Sequence, residues 1–403
     1  MATPDWRTLP AAQQPPWPDP DHLEGVLADL RRAPAIVAGV EVAALRDRLA
    51  EAAAGRAVLL QVGDCAEPFD ELTHEAVGRK LAVYDCLATE LGGRLALPAV
   101  LVGRIAGQFG KPRSAPTERR GDLELPSFRG HAVNDAPFTP RHRTPDPERL
   151  RRGHWLALSA MGRVRAGGGS RPVFTSHEAL LVGYEDALVR AGPAGPYGGS
   201  AHLLWVGERT RQLDGAHLAF LAGVANPLAC KCGPSMTPDE VVAVCDALNP
   251  GNEPGRLTLV TRLGAGRVRS VLPGLIDAVT EAGREVLWAC DPMHGNPALP
   301  VAGGRRARDF ADMRAEVSAY VAVHAERGTW PGGLHLECAA EPVTECLGGP
   351  DGITPDQVPE RYRSLCDPRL DPRQACALIR HAAREMARCR AVRRPAPAGS
   401  VGS

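Results

Sequence analysis

The chain has 403 residues, 44% hydrophobic and 23% charged, the composition of a globular protein with a substantial core. Lys plus Arg and Asp plus Glu both number 47, so there is no net field to steer nucleic acid or a membrane surface, and neither is expected as a partner. No apolar run approaches the roughly 20 residues of a membrane span, no signal peptide is visible at the N-terminus, and the eleven cysteines read as reduced thiols of a cytoplasmic protein.

Residues 1–20 are rich in Pro and Gln and are expected to lie extended. Two helices are expected over 21–55, the second with Val42, Leu45, Leu49 and Ala53 on one face. Apolar runs then recur at 57–63, 97–102, 173–175, 201–206, 223–229, 257–261, 286–290 and 333–336, eight candidate strands. Most are apolar on both faces, as parallel strands covered by helices are. Helical stretches fall between them. Thr237-Pro238-Asp239-Glu240 is a capping box with Pro at the first helical position. Phe310, Met313, Val317 and Tyr320 recur at helical spacing within 306–327, and Asp371-Pro372 opens a last helix. This alternation predicts an α/β fold, a (β/α)8 TIM barrel over 56–390, with 1–55 as a short N-terminal helical extension and 391–403 as a disordered tail. A doubly wound open sheet is the alternative. It would carry a glycine-rich dinucleotide turn after its first strand, and Gly63-Asp64-Cys65-Ala66-Glu67 does not fit one.

In such a barrel the active site lies at the C-terminal ends of the strands. The residues that fall there divide by chemistry. Cys65, His294, Glu337 and Asp367 combine a thiol, an imidazole and two carboxylates, a set suited to a divalent transition metal rather than to Mg or Ca. Taken singly, each has a simpler reading as a buried thiol, a turn residue or a salt-bridge partner. Cys230 and Cys232 share one face of a strand and are expected to pack. Arg104, Lys111, Arg113, Arg209, Lys231 and Arg262 are cations at the same rim. Together they suggest a ligand with more than one phosphate or carboxylate; the simpler reading is a ring of salt bridges with Asp64, Glu178 and Glu208. The chain uses Lys only at 80, 111 and 231. A compact ammonium retained against that bias matters at a tight site, although Lys80 is expected on a helix surface. The run Glu285–Asn296, EVLWACDPMHGN, ends a strand in Asp291 and His294; Asp291 is expected to shape the turn or orient a neighbour.

Several blocks carry a resemblance. GDCAEPF at 63–69, GRIAGQFGKPRS at 103–114, TSHEAL at 175–180, GERTRQLDGAHLAFL at 207–221, NPLACKCGPSM at 226–236, CDPMHGN at 290–296, GGLHLE at 332–337, TECLGG at 344–349 and CDPRLDP at 366–372 resemble the class II (plant-type) 3-deoxy-D-arabino-heptulosonate-7-phosphate (DAHP) synthases. The resemblance implies a barrel that condenses phosphoenolpyruvate with D-erythrose 4-phosphate and water, releasing phosphate. It places the chain at the first step of the shikimate pathway or a secondary-metabolite branch of it. It also implies a divalent metal, Mn2+ foremost with Co2+ or Zn2+ as substitutes, held by Cys65, His294, Glu337 and Asp367. Arg104 and Lys231 would hold the phosphoenolpyruvate carboxylate, and Arg209 and Arg262, with the backbone around Glu208, its phosphate. Lys111, Arg113 and Ser114 would take the phosphate of erythrose 4-phosphate. Glu178 and Glu208 would handle the water and its protons. A homo-oligomer, dimer or larger, is expected.

The chain departs from the longer members, which carry an N-terminal extension and an inserted helix pair for binding aromatic amino acids. Only Ala166–Pro172 separates the helix around 151–165 from the third strand. This resembles the short subgroup of phenazine-type pathways, without feedback inhibition. An amino variant acting on an imino tetrose phosphate shares the same groups. An inactive paralogue serving as a binding partner requires the loss of a ligand or cation, and none is lost.

Overall fold

The structure is a computed structural model that describes residues 5–167, 169 and 171–393. Eight parallel strands close into one barrel in chain order: β1 (Val58–Gly63), β2 (Ala99–Arg104), β3 (Val173–Glu178), β4 (Leu203–Val206), β5 (Leu228–Cys232), β6 (Leu257–Thr261), β7 (Leu287–Cys290) and β8 (Gly333–Glu337). The (β/α)8 expectation therefore holds. Two helices precede the barrel, α1 (Pro20–Arg32) and α2 (Gly39–Ala53). One follows each strand: α3 (His74–Leu95), α4 (Glu148–Ala166), α5 (Val182–Ala187), α6 (Ala216–Ala222), α7 (Pro238–Leu248), α8 (Val268–Glu281), α9 (Phe310–Glu326) and α10 (Pro372–Arg393). The capping box predicted for α7 is present, Thr237 Oγ1 accepting from Glu240 N and Glu240 accepting from Thr237 N.

Alternation along each strand sorts side chains into two environments. Leu60, Val62, Leu101, Cys230, Cys232, Leu334 and Leu336 point outward and join the helices in the main core, so the Cys230–Cys232 pair packs as expected. Inward residues form layers. Near the N-terminal mouth, Leu59, Val100, Phe174, Leu203 and Leu287 cluster with Leu45, Leu49 and Ala52 of α2, which closes that mouth as a stopper. Each such leucine contributes about 1.5–3 kcal/mol by leaving water. Halfway up, the interior turns polar: Gln61 Nε2 donates to Ser176 Oγ (2.9 Å), and Gln61 Oε1 faces His335 Nδ1 (2.7 Å). At the C-terminal rim it is ionic.

Three expectations shift. The fifth strand begins at Leu228, not Gly223; Gly223 N bonds back to Phe220 O and Val224 N to Leu221 O, so 223–227 leads out of α6. An apolar run alone does not separate a helix end from a strand start. The helix expected from Arg306 begins at Phe310 with Asp309 as its cap, and Arg305–Asp309 pairs with Leu299–Val301 and Cys346–Leu347 in a small sheet above the rim. The last helix runs to Arg393, past the expected tail boundary at 391; residues 394–403 lie outside those described. A hairpin, Thr117–Arg120 with Leu123–Pro126, rises after β2.

Candidate active site

Register builds the rim. Gly63 at the end of β1 stands opposite Arg104 on one side and Glu337 on the other. Its φ is +156°, and a Cβ there would lie 2.5 Å from Arg104 O, so only glycine lets the neighbours meet. Arg104 reaches across to Glu337 Oε1 (2.8 Å), to His335 Nε2 (2.7 Å) and to the carbonyl of Asp64 (2.8 Å), and it lies over the Trp205 ring at 5.1 Å.

Cys65 Sγ and one oxygen each of Glu337 and Asp367 lie within 4.8 Å of one another. His294 Nε2 is 3.1 Å from Glu337 Oε1 and 3.8 Å from Asp367 Oδ2. The four residues expected as ligands thus converge. They fit a metal by chemistry, a soft thiol with imidazole and carboxylates, and by satisfaction: Glu337 Oε2 is buried with no hydrogen-bond partner, a costly state for a carboxylate oxygen. Asp291 fixes the imidazole, its Oδ2 2.7 Å from His294 Nδ1, and the same oxygen receives Lys231 Nζ at 2.5 Å. Such a carboxylate behind a ligand histidine sets its tautomer and orientation. Lys111 stands among the side chains expected as ligands. Its Nζ is 2.9 Å from Cys65 Sγ and 2.7 Å from Asp367 Oδ2. Burial works to raise the Asp367 carboxyl, but Lys111, His294 and Arg308 override it and hold it well below the usual range. Burial pushes the Cys65 thiol up.

Beside this set opens a cavity of about 490 Å³. Arg104, Lys111, Arg113, Ser114, Glu178, Glu208, Arg209, Lys231, Arg262, His294, Glu337 and Asp367 all line it. Arg209 donates to Ser114 Oγ (2.7 Å), and Arg113 leans on Glu118 of the hairpin (3.3 Å). Arg262 donates to the carbonyl of His294. The two glutamates differ. Glu208 is engaged by Gly233 N (2.7 Å) and Arg211 (3.0 Å). Glu178 Oε1 is buried with no hydrogen-bond partner, and burial raises its carboxyl against the pull of Lys111, Arg104 and Lys231. Burial also lowers Lys231 to about 8, against Asp291.

A sequence profile of the Class-II DAHP synthetase family matches residues 1–171 and 168–383. The chain belongs to the class-II DAHP synthetase family. It is 41% identical to the phospho-2-dehydro-3-deoxyheptonate aldolase of Streptomyces coelicolor, over 93% of this chain and 94% of that one. It is 43% identical to a probable phospho-2-dehydro-3-deoxyheptonate aldolase of Pseudomonas fluorescens, over 92% and 94%. A Mycolicibacterium smegmatis enzyme of the same name is 38% identical over 92% and 91%.

In this class-II member the sequence reading missed the residues that hold the rim loops. Glu67 accepts from the amides of Ala106, Gly107 and Gln108, shaping the loop after β2. Glu316 of α9 accepts from Leu263 N (2.9 Å), Gly264 N (2.8 Å) and Asn296 Nδ2 (2.8 Å), tying the loop of Arg262 to that of His294. Burial raises its carboxyl to about 8. Glu345, within TECLGG, accepts from Arg363 N, Ser364 N and Arg369 N around Asp367. Lys80 corrects an expectation. It is buried, 2.6 Å from Asp64 Oδ2 and 3.0 Å from Glu71 Oε2, because its place on α3 faces the end of β1 and not solvent. All eleven cysteines are free thiols. Among the described residues no helix is long and apolar enough to cross a membrane.

Proposed function

We propose that this cavity condenses phosphoenolpyruvate with D-erythrose 4-phosphate and water to DAHP and phosphate, the activity for which the family is named. One observation carries the reading: His294, Glu337 and Asp367 of the mixed thiol, imidazole and carboxylate set line a single cavity together with Arg104, Lys111, Arg113, Arg209, Lys231 and Arg262. Two anionic substrates held side by side next to a Lewis acid is what such a condensation requires.

A divalent metal, Mn2+ foremost with Co2+ or Zn2+ as substitutes, would be held by Cys65, His294, Glu337 and Asp367 and would supply Lewis-acid polarisation of the aldehyde oxygen. Arg104 and Lys231 hold the phosphoenolpyruvate carboxylate at the centre of the rim. Arg209 and Arg262, with the backbone around Glu208, take its phosphate. Arg113 and Ser114, with Lys111 at the boundary to the ligand set, take the phosphate of the tetrose. So held, carbon 3 of phosphoenolpyruvate attacks the aldehyde carbon; a C–C bond forms as the aldehyde C=O opens, its oxygen taking up a proton to become a hydroxyl. Positive character develops at carbon 2, water adds there, and phosphate leaves by C–O cleavage. Glu178 accepts the proton of that water; it lines the cavity, and its raised carboxyl suits a base there. Glu208, tied to Arg211 and Gly233, orients the water and the phosphate end.

The test is phosphoenolpyruvate consumption on adding erythrose 4-phosphate, with and without a chelator. Consumption that stops with chelator and returns with Mn2+ is expected. A metal-replete protein that leaves phosphoenolpyruvate untouched refutes the reading.

A further inference from the structure

The three lysines of the chain are all buried, at 3%, 9% and 6% exposure for Lys80, Lys111 and Lys231. Two of them line the cavity and the third stands behind it. We propose that Lys80 is a positioning residue for the ligands Cys65 and Asp367, acting through Asp64 and Arg369. This rests on the reading of Cys65, His294, Glu337 and Asp367 as metal ligands.

Lys80 enters from α3, outside the barrel wall. Its Nζ lies 2.6 Å from Asp64 Oδ2. The other oxygen of Asp64 takes Arg369 Nη1, also at 2.6 Å. Arg369 in turn is gripped by Glu345, at its backbone amide (2.7 Å), Nε (3.2 Å) and Nη2 (3.0 Å). Four buried charges of alternating sign thus form a row, Lys80–Asp64–Arg369–Glu345. Asp64 is the residue before Cys65, and Arg369 lies two after Asp367. The row pins the end of β1 to the loop after β8 and so brings together ligands 302 residues apart in the chain.

Buried charges are costly unless each is paired, and removing one partner strands the rest. Without its ammonium, Asp64 faces the buried Glu67 and the nearby Glu71 with Arg369 as its remaining cation, and both oxygens compete for that guanidinium. Arg369 then shifts from Glu345, and the Asp367 loop with it. Arginine does not replace the lysine. Asp64 and Glu71 converge within 3.0 Å of a single point, which suits a compact ammonium, whereas a guanidinium spreads its donors over a plane. This explains a lysine kept at 80 in a chain that otherwise uses arginine.

The experiment titrates metal-free protein with Co2+ and reads its dissociation constant from the thiolate-to-cobalt absorption. Lys80→Met and Lys80→Arg are expected to bind Co2+ about 10–100-fold more weakly than wild type, the range for groups behind metal ligands. Glu345→Gln is expected to fall in the same direction. Far-UV circular dichroism of the metal-free Lys80→Arg protein should match wild type, so that the loss is one of affinity and not of fold. If Lys80→Met does not fold, Lys80→Arg and Glu345→Gln decide. Variants that melt earlier yet bind Co2+ as tightly as wild type overturn the proposal and leave Lys80 as structural only. The parent reading fails separately: His294→Ala with undiminished Co2+ affinity removes the ligand set and the proposal with it.

Discussion

Lys231 stands between Asp291 and Arg104, on a strand whose alternation turns it into the barrel. Burial brings its ammonium down to about 8, so in the free enzyme it loses its charge as pH rises through that value. The protonated form attracts a carboxylate. Below about pH 8 the charge is present, and above it the charge is lost. The value of kcat/KM for phosphoenolpyruvate is therefore expected to fall as pH rises through about 8, with KM carrying most of the change. A pH series of initial rates checks this, with Lys231→Met as the control that should lack this limb. A flat profile to pH 10 in the wild type would count against the assignment. At this scale the sequence is legible where a side chain ends a strand. Cys65, Arg104, Lys231, His294 and Glu337 can be gathered because eight strand ends share one rim. Asp291 can be noticed but not assigned, since its two partnerships depend on a turn that no spacing rule describes.

The loops show what strand ends cannot. Several rim loops are held by buried carboxylates: Glu67 holds the loop after β2, Glu316 those after β6 and β7, and Glu345 the one after β8. Each accepts two or more backbone amides, doing for a loop what a ladder does for a strand. None is legible in advance, because a glutamate on a helix or in a turn has no periodicity to distinguish a clamp from a solvated charge. The same reason leaves Lys80, expected on a helix surface, illegible as a buried charge. The connection between α4 and β3 is legible: residues 167–172 span it, too short for an inserted helix pair. Phe, Tyr and Trp at micromolar concentration are accordingly expected to leave the rate of DAHP formation unchanged. An assay showing strong inhibition by any of the three would mean that an effector site is built elsewhere.

Across the whole molecule the interior is graded, apolar at the N-terminal mouth and ionic at the C-terminal rim. The barrel itself is readable from eight apolar runs alternating with helices. The stopper is not: the stripe of Leu45 and Leu49 predicts an amphipathic helix but not that its core is the inside of the barrel. Leu49→Ala opens a cavity beneath a closed ring of strands that cannot collapse to fill it. It should cost about 2–5 kcal/mol, read from the urea midpoint at constant m-value. A loss well under 1 kcal/mol would show that α2 does not close the mouth.

The scarcity of lysine has a practical side. Amine-directed reagents usually find many targets on a protein surface. On this one every lysine is enclosed by carboxylates or lines the catalytic cavity, and the surface cations are guanidinium groups that such reagents pass over. Acylation of the lysines in the folded chain is thereby limited to what a reagent can reach through the cavity, at Lys111 and Lys231, whereas labelling of Lys80 reports that α3 has parted from the end of β1.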